Sequence, residues 1–388
     1  MTTGLARPSP TSARGTALLR AAAVLALLFV FLIGVKGLGA GFRLLGRDLV
    51  EAFFLATANP FVGLMVGVLA TTLVQSSSVS TSMIVGLVAA PEDPLPLMNA
   101  VPMIMGANIG TTVTNTIVSL AHMGRRDEFR RAFAVATCHD FFNFITVAVL
   151  LPFELLTGYL RRSAAFLAER VGGAGGVEYQ SPLEGLIGLG VAPLEALARA
   201  MFQAGRGAGV VLLLLSAALI YLTLMLIVRV MRTAMENRME SFVTRALGRS
   251  VVLSIAVGAI ATVMVQSSSI TTSLLVPLAG AGVLTLEQAF PVTVGANLGT
   301  TVTALLASLA ASGPNAEAGL TIALVHLLFN TTGTFLILPF HAMRQLPLRA
   351  ATWLAATATR SRRWALVYVL LLFYVLPAAL AVVNRVLR

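Results

Sequence analysis

Two runs of small polar side chains interrupt otherwise apolar stretches of this 388-residue chain. The sequence Gln-Ser-Ser-Ser occupies Gln75–Ser78 and again Gln266–Ser269, so each run sets an amide beside three hydroxyls. A hydroxyl has one donor and two acceptor positions, and a glutamine amide has groups of both kinds. Each run can therefore donate hydrogen bonds to an oxyanion while its oxygen lone pairs face a small cation.

A second word, Gly-Ala-Asn-x-Gly-Thr-Thr-Val-Thr, follows each run, at residues 106–114 and 295–303. Gly110 and Gly299 allow close backbone approach or local unwinding. Asn108, Asn297 and the threonine hydroxyls offer the hard oxygen ligands that alkali cations accept. Packing is the alternative, because Ser and Thr often bond to carbonyls of their own helix and Gly brings helices together. The occurrence of both words twice favours a shared binding site.

Asp140 is the one carboxylate deep inside an apolar segment, Ala132–Leu151. An ionisable group at such a position is a functional candidate that would attract a cation or a proton. Pairing with His139 or a nearby arginine is the structural alternative. His139 and His326 occupy equivalent positions, and for them a shared hydrogen-bond or packing role competes with proton relay. Asn143, one helical turn after Asp140, is a better cation ligand than the corresponding Asn330.

These words recur in the same order, which indicates an internal duplication. Arginine-rich stretches between apolar segments are typical of cytoplasmic loops. If the N-terminus is cytoplasmic, this charge pattern predicts that the first polar run enters the membrane from outside and the second enters it from the cytoplasm. The two repeats are therefore predicted to be inverted. Polar breaks at matching points of inverted repeats are where secondary transporters bind their substrates.

The composition is that of a polytopic membrane protein. Hydrophobic residues make up 57% and charged residues 11%, and the mean hydropathy is +0.89. This excludes a cytosolic enzyme, and the length allows about seven to ten membrane segments. The net charge of +11 could suggest nucleic-acid binding, but its placement between apolar segments argues against that. The single cysteine, Cys138, excludes an intramolecular disulfide.

We predict an all-α fold with two inverted-topology repeats. The apolar arms beside each polar run are too short to cross a membrane, so each run is predicted to lie in a re-entrant helical hairpin, followed by a helix that carries the glycine-rich word. Trp353, Trp364, Tyr368 and Tyr374 are predicted to be interfacial and lipid-facing anchors. The sequence contains no zinc, phosphate-loop or hydrolase motif, so we do not predict an enzyme.

The predicted organisation has six parts. Residues 1–51 form a cytoplasmic N-terminus and a retained first membrane helix, and residues 52–153 form repeat 1. Residues 154–204 form an external loop, and residues 205–249 form a linking helix with a cytoplasmic loop. Residues 250–341 form repeat 2, and residues 342–388 form a basic cytoplasmic loop with a C-terminal membrane helix.

The repeated words, together with Glu-Phe-Arg-Arg-Ala-Phe-Ala from Glu128 and His-Asp-Phe-Phe-Asn from His139, resemble the type II sodium-dependent phosphate cotransporters over Phe53–Phe340. The resemblance implies secondary active import of inorganic phosphate with sodium, by an elevator-like motion, in a protein that is often a homodimer. It implies sodium as the coupling ion and no organic cofactor. The expected partners are phosphate, sodium and the lipid bilayer, with no nucleic acid.

The resemblance also implies roles for individual residues. Phosphate is expected to contact the two polar runs and Thr111 of the first glycine-rich word. Asn108 and Asn297, the asparagines of the two glycine-rich words, are expected to join them. The full set is Gln75, Ser76, Ser77, Ser78, Asn108, Thr111, Ser267, Ser268, Ser269 and Asn297. Sodium is expected to bind in the second repeat, at Gln266, Ser267, Ser268, Thr300 and Thr303. The Ala134-x-Ala136 pattern before Asp140 matches electrogenic members, which implies a further sodium at Asp140 and Asn143.

The sequence departs from the family at three positions, and other readings stay open. His122 and Arg125 replace Gln and Asp, and Ala296 replaces Ser, at positions where some members of the family would have sodium ligands.

The alternatives to sodium-coupled phosphate import are transport of another oxyanion such as sulfate, arsenate or a small carboxylate, coupling to protons, and an anion channel or sensor. The Ala- and Arg-rich composition, without a cysteine-rich external loop, favours a bacterial cytoplasmic membrane.

Overall fold

The computed structural model describes residues 10–45, 54–173, 182–202, 205–246, 250–311 and 313–386. Within these ranges the regular structure is helical and no strand occurs. A five-residue π-helical segment, Leu371–Val375, connects the last two helices. The α-helices are α1 Pro10–Leu44, α2 Pro60–Val74, α3 Ser77–Val88, α4 Leu97–Thr111, α5 Val113–Leu120, α6 Arg126–Thr157, α7 Tyr159–Gly173, α8 Pro182–Phe202, α9 Arg206–Ala246, α10 Val251–Val265, α11 Ser268–Gly280, α12 Leu286–Ser308, α13 Ala316–Ile337, α14 His341–Arg360, α15 Arg363–Leu370 and α16 Leu376–Val386.

Six helical stretches of the described residues are long and apolar enough to cross a membrane, which is the pattern of a multi-pass membrane protein. They are Leu18–Gly41, Arg126–Thr157, Arg206–Ile227, Leu286–Ser308, Gly313–Ile337 and Arg363–Leu380. This is fewer than the seven to ten that the length suggested. Much of the remaining apolar sequence forms helices that are too short to span.

Both predicted polar breaks separate two short apolar helices. The first lies between α2 and α3, of 15 and 12 residues, and the second between α10 and α11, of 15 and 13 residues. A helix rises 1.5 Å per residue, so none of these arms spans a hydrocarbon core of about 30 Å. The prediction of short paired arms is confirmed.

Glycines allow each hairpin to lie directly against the helix that follows it. In the first half, α2 packs along α4, where a Cβ at Gly106 would collide with the Leu64 carbonyl. In the second half, α10 packs along α12, and a Cβ at Gly295 would collide with the Ile255 carbonyl. Small residues at helix crossings give membrane proteins this close packing. The same contact therefore recurs in both halves.

Three segments that were predicted to include loops are largely helical. The predicted external loop contains α7 and α8, α9 continues to Ala246, and α14 occupies the predicted basic loop. Helix α7 forms because Leu160, Ala164 and Ala168 repeat every fourth residue and bury one face against α13. The predicted cytoplasmic residues 1–9 and the predicted boundaries at residues 51, 204 and 249 lie outside the described residues.

Helices α6, α12 and α13 form the centre of the molecule, and most of each is buried. Helices α1 and α9 pack against each other at the periphery, and α16 and the π-helical segment pack against α2. The two short hairpin arms α3 and α11 contact the central helices. The hydroxyl-bearing breaks are thus held by the most buried part of the fold.

Candidate functional site

The two breaks share one backbone conformation. Gln75 and Gln266 end their helices in the left-handed region, with φ of 55° and 54°. The serine that follows each glutamine is extended and caps the next helix. Ser76 Oγ accepts from the Val79 amide and Ser267 Oγ from the Ile270 amide, both at 3.4 Å. Because a left-handed residue followed by an extended one reverses the chain, each glutamine side chain lies at the tip of its hairpin.

Both hairpin tips line one cavity of about 390 Å³. Of the predicted ligands, the cavity brings together Gln75, Ser76, Gln266, Ser267 and Ser269. Ser77, Ser78 and Ser268 are buried in the first turns of α3 and α11 and do not line it. In the part of the chain that the structure describes, the one charged residue on the cavity wall is Arg229 of α9.

Thr303 connects the two breaks. Its hydroxyl donates to Gln266 Oε1 at 3.1 Å and accepts from Ser78 Oγ at 3.4 Å. The other predicted hydroxyl ligands, Thr111 and Thr300, donate to carbonyls of their own helices at 2.8 Å and 3.1 Å. A hydroxyl that donates in this way keeps oxygen lone pairs that a cation can use. The chain therefore offers oxygen ligands from both halves around Gln266.

The asparagines of the two glycine-rich words form a buried network. Asn297 Oδ1 lies 2.7 Å from His139 Nε2, and Asn297 Nδ2 donates to Asn143 Oδ1 at 3.0 Å. In the reciprocal arrangement, Asn108 Oδ1 accepts from Asn330 at 3.1 Å and lies 3.3 Å from His326 Nε2. Each asparagine thus pairs with the histidine and asparagine of the other half.

Both histidines belong to this network. His139 also lies 3.5 Å from the amide nitrogen of Asn115, whose Oδ1 accepts from Thr272 and Ser273 of α11 at 2.9 Å and 3.1 Å. Asn143, expected to bind sodium, has protein partners at both amide atoms, since its nitrogen donates to the Asn108 carbonyl at 3.2 Å. These amides hold the two halves together.

Asp140 is completely buried, and its partner is a residue that was predicted to face lipid. Tyr368 Oη donates to Asp140 Oδ2 at 2.6 Å, and Thr116 Oγ1 donates to the same oxygen at 3.4 Å. Neither His139 nor an arginine pairs with Asp140 among the described residues. The prediction of Tyr368 as a lipid-facing anchor is wrong, because its hydroxyl points inward to this carboxylate.

The comparison with known families identifies the chain. The Na+/Pi-cotransporter family matches residues 30–164 and 219–359. The chain belongs to the Na+/Pi-cotransporter family. The predicted family is thereby confirmed, and it consists of transporters rather than enzymes.

Curated relatives of this family member are similar over most of its length. Sodium-dependent phosphate transport protein 2A of Rattus norvegicus is 33% identical over an alignment of 432 positions, gaps included, that covers 94% of this chain and 67% of the relative. Sodium-dependent phosphate transport protein 2B of Homo sapiens is 32% identical over 441 aligned positions that cover 91% of this chain and 64% of the relative. The chain therefore spans about two thirds of these relatives. No solved structure matches it.

The positions where this family member departs from the expected pattern form their own contacts. Arg125 Nη1 lies 2.7 Å from Glu128 Oε1, and His122 Nδ1 lies 3.8 Å from Glu128 Oε2. The Glu128 carboxylate raises the pKa of the Arg125 guanidinium above its usual value. Ala296 is buried and has no side-chain oxygen to offer. A cationic arginine thus stands where an acidic ligand was expected.

Three residues at these sites were missed by sequence reasoning. Arg229 was counted only as a loop charge, yet it reaches the cavity because α9 continues past the apolar segment. Asn115 stands three residues after the Gly-Thr-Thr triplet and has no counterpart in the second half, where Ala304 takes its place. Thr116, one residue later, shared no repeated word. For Asn115, its isolation as an amide in an apolar helix was the available signal.

Proposed function

We propose that this chain is a secondary active symporter that imports inorganic phosphate together with sodium ions. Family membership supports this, and one observation carries it: both Gln-Ser-Ser-Ser breaks open into the same cavity. The curated relatives are named sodium-dependent phosphate transport proteins. A cavity between duplicated hairpins is where a transporter of this kind would hold its substrate.

Phosphate is held in this proposal by neutral donors rather than by an arginine clamp. The cavity-lining hydroxyls of Ser76, Ser267 and Ser269 donate to the phosphate oxygens, assisted by the free amides at the start of α3 and α11, where the helix dipole favours an anion. Ser77, Ser78, Ser268 and Thr111 would join them only after a rearrangement of the hairpins. Asn108 and Asn297 would join them only by exchanging their present partners. Arg229 adds positive potential at one wall of the cavity.

Sodium neutralises the anion in the same space. Gln266, Ser267, Ser268, Thr300 and Thr303 supply its oxygens, and the bond between Thr303 and Gln266 already draws two of these residues together. A further sodium binds at Asp140 with Asn143 nearby. With three sodium ions and divalent phosphate, one net charge crosses per cycle. Each 100 mV of membrane potential then contributes about 2.3 kcal/mol.

The proposed organisation is two inverted repeats in a bacterial cytoplasmic membrane, with the N-terminus inside. The matched breaks, matched glycine crossings and reciprocal asparagine pairs support the repeats. In this proposal phosphate crosses by an elevator-like motion, and two copies of the chain form a homodimer. The division at residues 51, 153, 204, 249 and 341 is retained, with helices in place of the three predicted loops.

The deciding experiment is uptake of labelled phosphate into proteoliposomes under a sodium, potassium or proton gradient, with the membrane potential at zero or negative inside. The proposal requires concentrative uptake that needs sodium and increases with negative potential. Sodium-dependent uptake whose rate does not change with membrane potential would refute the electrogenic role of Asp140. Proton-driven uptake, or equilibration without concentration, would overturn the symporter. Excess sulfate, arsenate or a small carboxylate tests the choice of anion.

Two substitutions test the site. Ser76→Ala and Ser267→Ala each remove one hydroxyl that lines the cavity, and hydrogen bonds to a charged partner contribute about 1.5–3 kcal/mol, so phosphate uptake should decrease by about tenfold or more. Ser308→Ala, at the distant end of α12, is the control and should retain uptake. The amount of folded protein in the membrane is measured for all three. Full uptake in both site variants would refute the assignment.

A further inference from the structure

Helix α15 contributes a side chain to the buried carboxylate Asp140. Tyr368 of α15 and Asp140 of α6 are 228 positions apart in sequence, and their oxygens are 2.6 Å apart. Tyr368 lies outside the residues that the family matches, 30–164 and 219–359. The contact therefore joins a segment beyond the matched regions to a carboxylate within them.

The Tyr368 ring is held on two sides by aromatic neighbours. Phe133 of α6 lies edge-on with ring centroids 6.4 Å apart, and Phe373 lies edge-on at 6.0 Å. Phe373 is completely buried and belongs to the π-helical segment Leu371–Val375. Such segments often mark functional sites, and here the wider turn carries Phe373 against the tyrosine. The hydroxyl thus has a fixed direction.

The two oxygens of Asp140 differ in their surroundings. Oδ2 accepts from Tyr368 and Thr116, whereas Oδ1 is buried and has no hydrogen-bond partner among the described residues. A buried carboxylate oxygen without a partner is costly, and a cation would satisfy it. Tyr368 therefore occupies one oxygen and leaves the other available.

We propose that Tyr368 is a positioning residue that sets how tightly the Asp140 site holds its cation. The inference rests on the proposed function, in which that cation is sodium. Tyr368 stabilises the carboxylate while the site is empty, which lowers the gain from binding a cation. Loss of the hydroxyl should make cation binding tighter and release slower. A residue that only maintains the fold would weaken binding when it is altered.

The test is Tyr368→Phe, which keeps the ring and its aromatic contacts. In proteoliposomes in alkaline buffer, the sodium concentration for half-maximal phosphate uptake should fall by about tenfold, and the maximal rate should also fall. Tyr374→Phe is the matched control, because Tyr374 lies in the same π-helical segment and should leave both values unchanged. In an Asp140→Asn background, Tyr368→Phe should have no further effect on sodium dependence.

Sodium-dependent thermal stabilisation in detergent gives a second measurement that does not need transport. Tyr368→Phe should reach half of its stabilisation at lower sodium than the parent protein. If Tyr368→Phe does not fold, Phe373→Leu loosens the ring and should shift sodium dependence in the same direction. An unchanged or weaker sodium response in a folded variant would overturn the inference. Absence of sodium dependence in the parent protein would instead overturn the proposed function.

Discussion

Two asparagines join the halves of this molecule at the level of single residues. Asn297 Oδ1 is an acceptor, so His139 Nε2 must donate to it, while Asn297 Nδ2 donates to Asn143. All three residues are buried. A buried polar group that loses its partner costs more than the bond contributed, because water cannot replace the partner. These amides therefore stabilise one arrangement of the two halves.

Asn297→Ala should destabilise the protein. The substitution leaves His139 Nε2 and Asn143 Oδ1 without their partner, at a cost of about 1–3 kcal/mol for each group. We expect a lower midpoint of thermal unfolding in detergent. Thr357→Ala, on the exposed face of α14, is the control and should leave the midpoint nearly unchanged. Equal midpoints for Asn297→Ala and the parent protein would contradict a structural role for the network.

The sequence predicted local features of the site but not the contacts between distant parts of the chain. The breaks at Gln75 and Gln266 could be predicted, because a polar run inside an apolar stretch is visible without knowledge of the fold. The bond between Tyr368 and Asp140 could not, because it depends on where α15 packs. An aromatic residue little more than one helical turn after the basic Arg362 and Arg363 has the local pattern of a membrane-interface anchor.

At the level of elements, the packing of each hairpin depends on the absence of a side chain. Gly106 lies against the backbone of α2, and Gly295 lies against the backbone of α10. The obstructing atoms are main-chain carbonyls, which cannot rotate away as a side chain can. A methyl group at either position must therefore separate the two helices. Separation would also shift the hairpin tips that line the cavity.

Gly295→Ala and Gly106→Ala should each reduce the yield of folded, monodisperse protein in size-exclusion chromatography and abolish phosphate uptake. The matched control is Gly188→Ala in α8, where an added Cβ meets no atom within 4 Å. Alanine favours a helix over glycine by about 1 kcal/mol, so this control should fold at least as well as the parent protein. Normal folding of both hairpin variants would refute the packing argument.

Helices α7 and α8 lie in the segment that was predicted to be an external loop. Residues 154–204 contain many glycines and charges of both signs, which favours loops in a reading by composition. The buried face of α7 was nevertheless present in the sequence as an apolar residue at every fourth position. Its partner α13 is distant in the chain, so only the folded structure shows what that face packs against.

For the whole molecule, the inversion of the repeats predicts opposite sides for equivalent hairpin ends. Pro91 follows α3, and the exposed Val283 follows α11. A membrane-impermeant maleimide should label Pro91→Cys only from outside and Val283→Cys only from the cytoplasm. The parent chain is the control, because its single cysteine, Cys138, is completely buried and should not react. Labelling of both variants from one side would refute the inversion.

The duplicated words have not diverged equally. His139 and Asn143 correspond to His326 and Asn330, but the place of Asp140 is taken by Leu327 in the second half. Each asparagine of the network serves the opposite half, so a change in either copy would leave a partner stranded, and selection would act on both copies together. The carboxylate depends on no such reciprocity. After the duplication, the first repeat could therefore acquire a charged residue at this position while the second repeat kept an uncharged one.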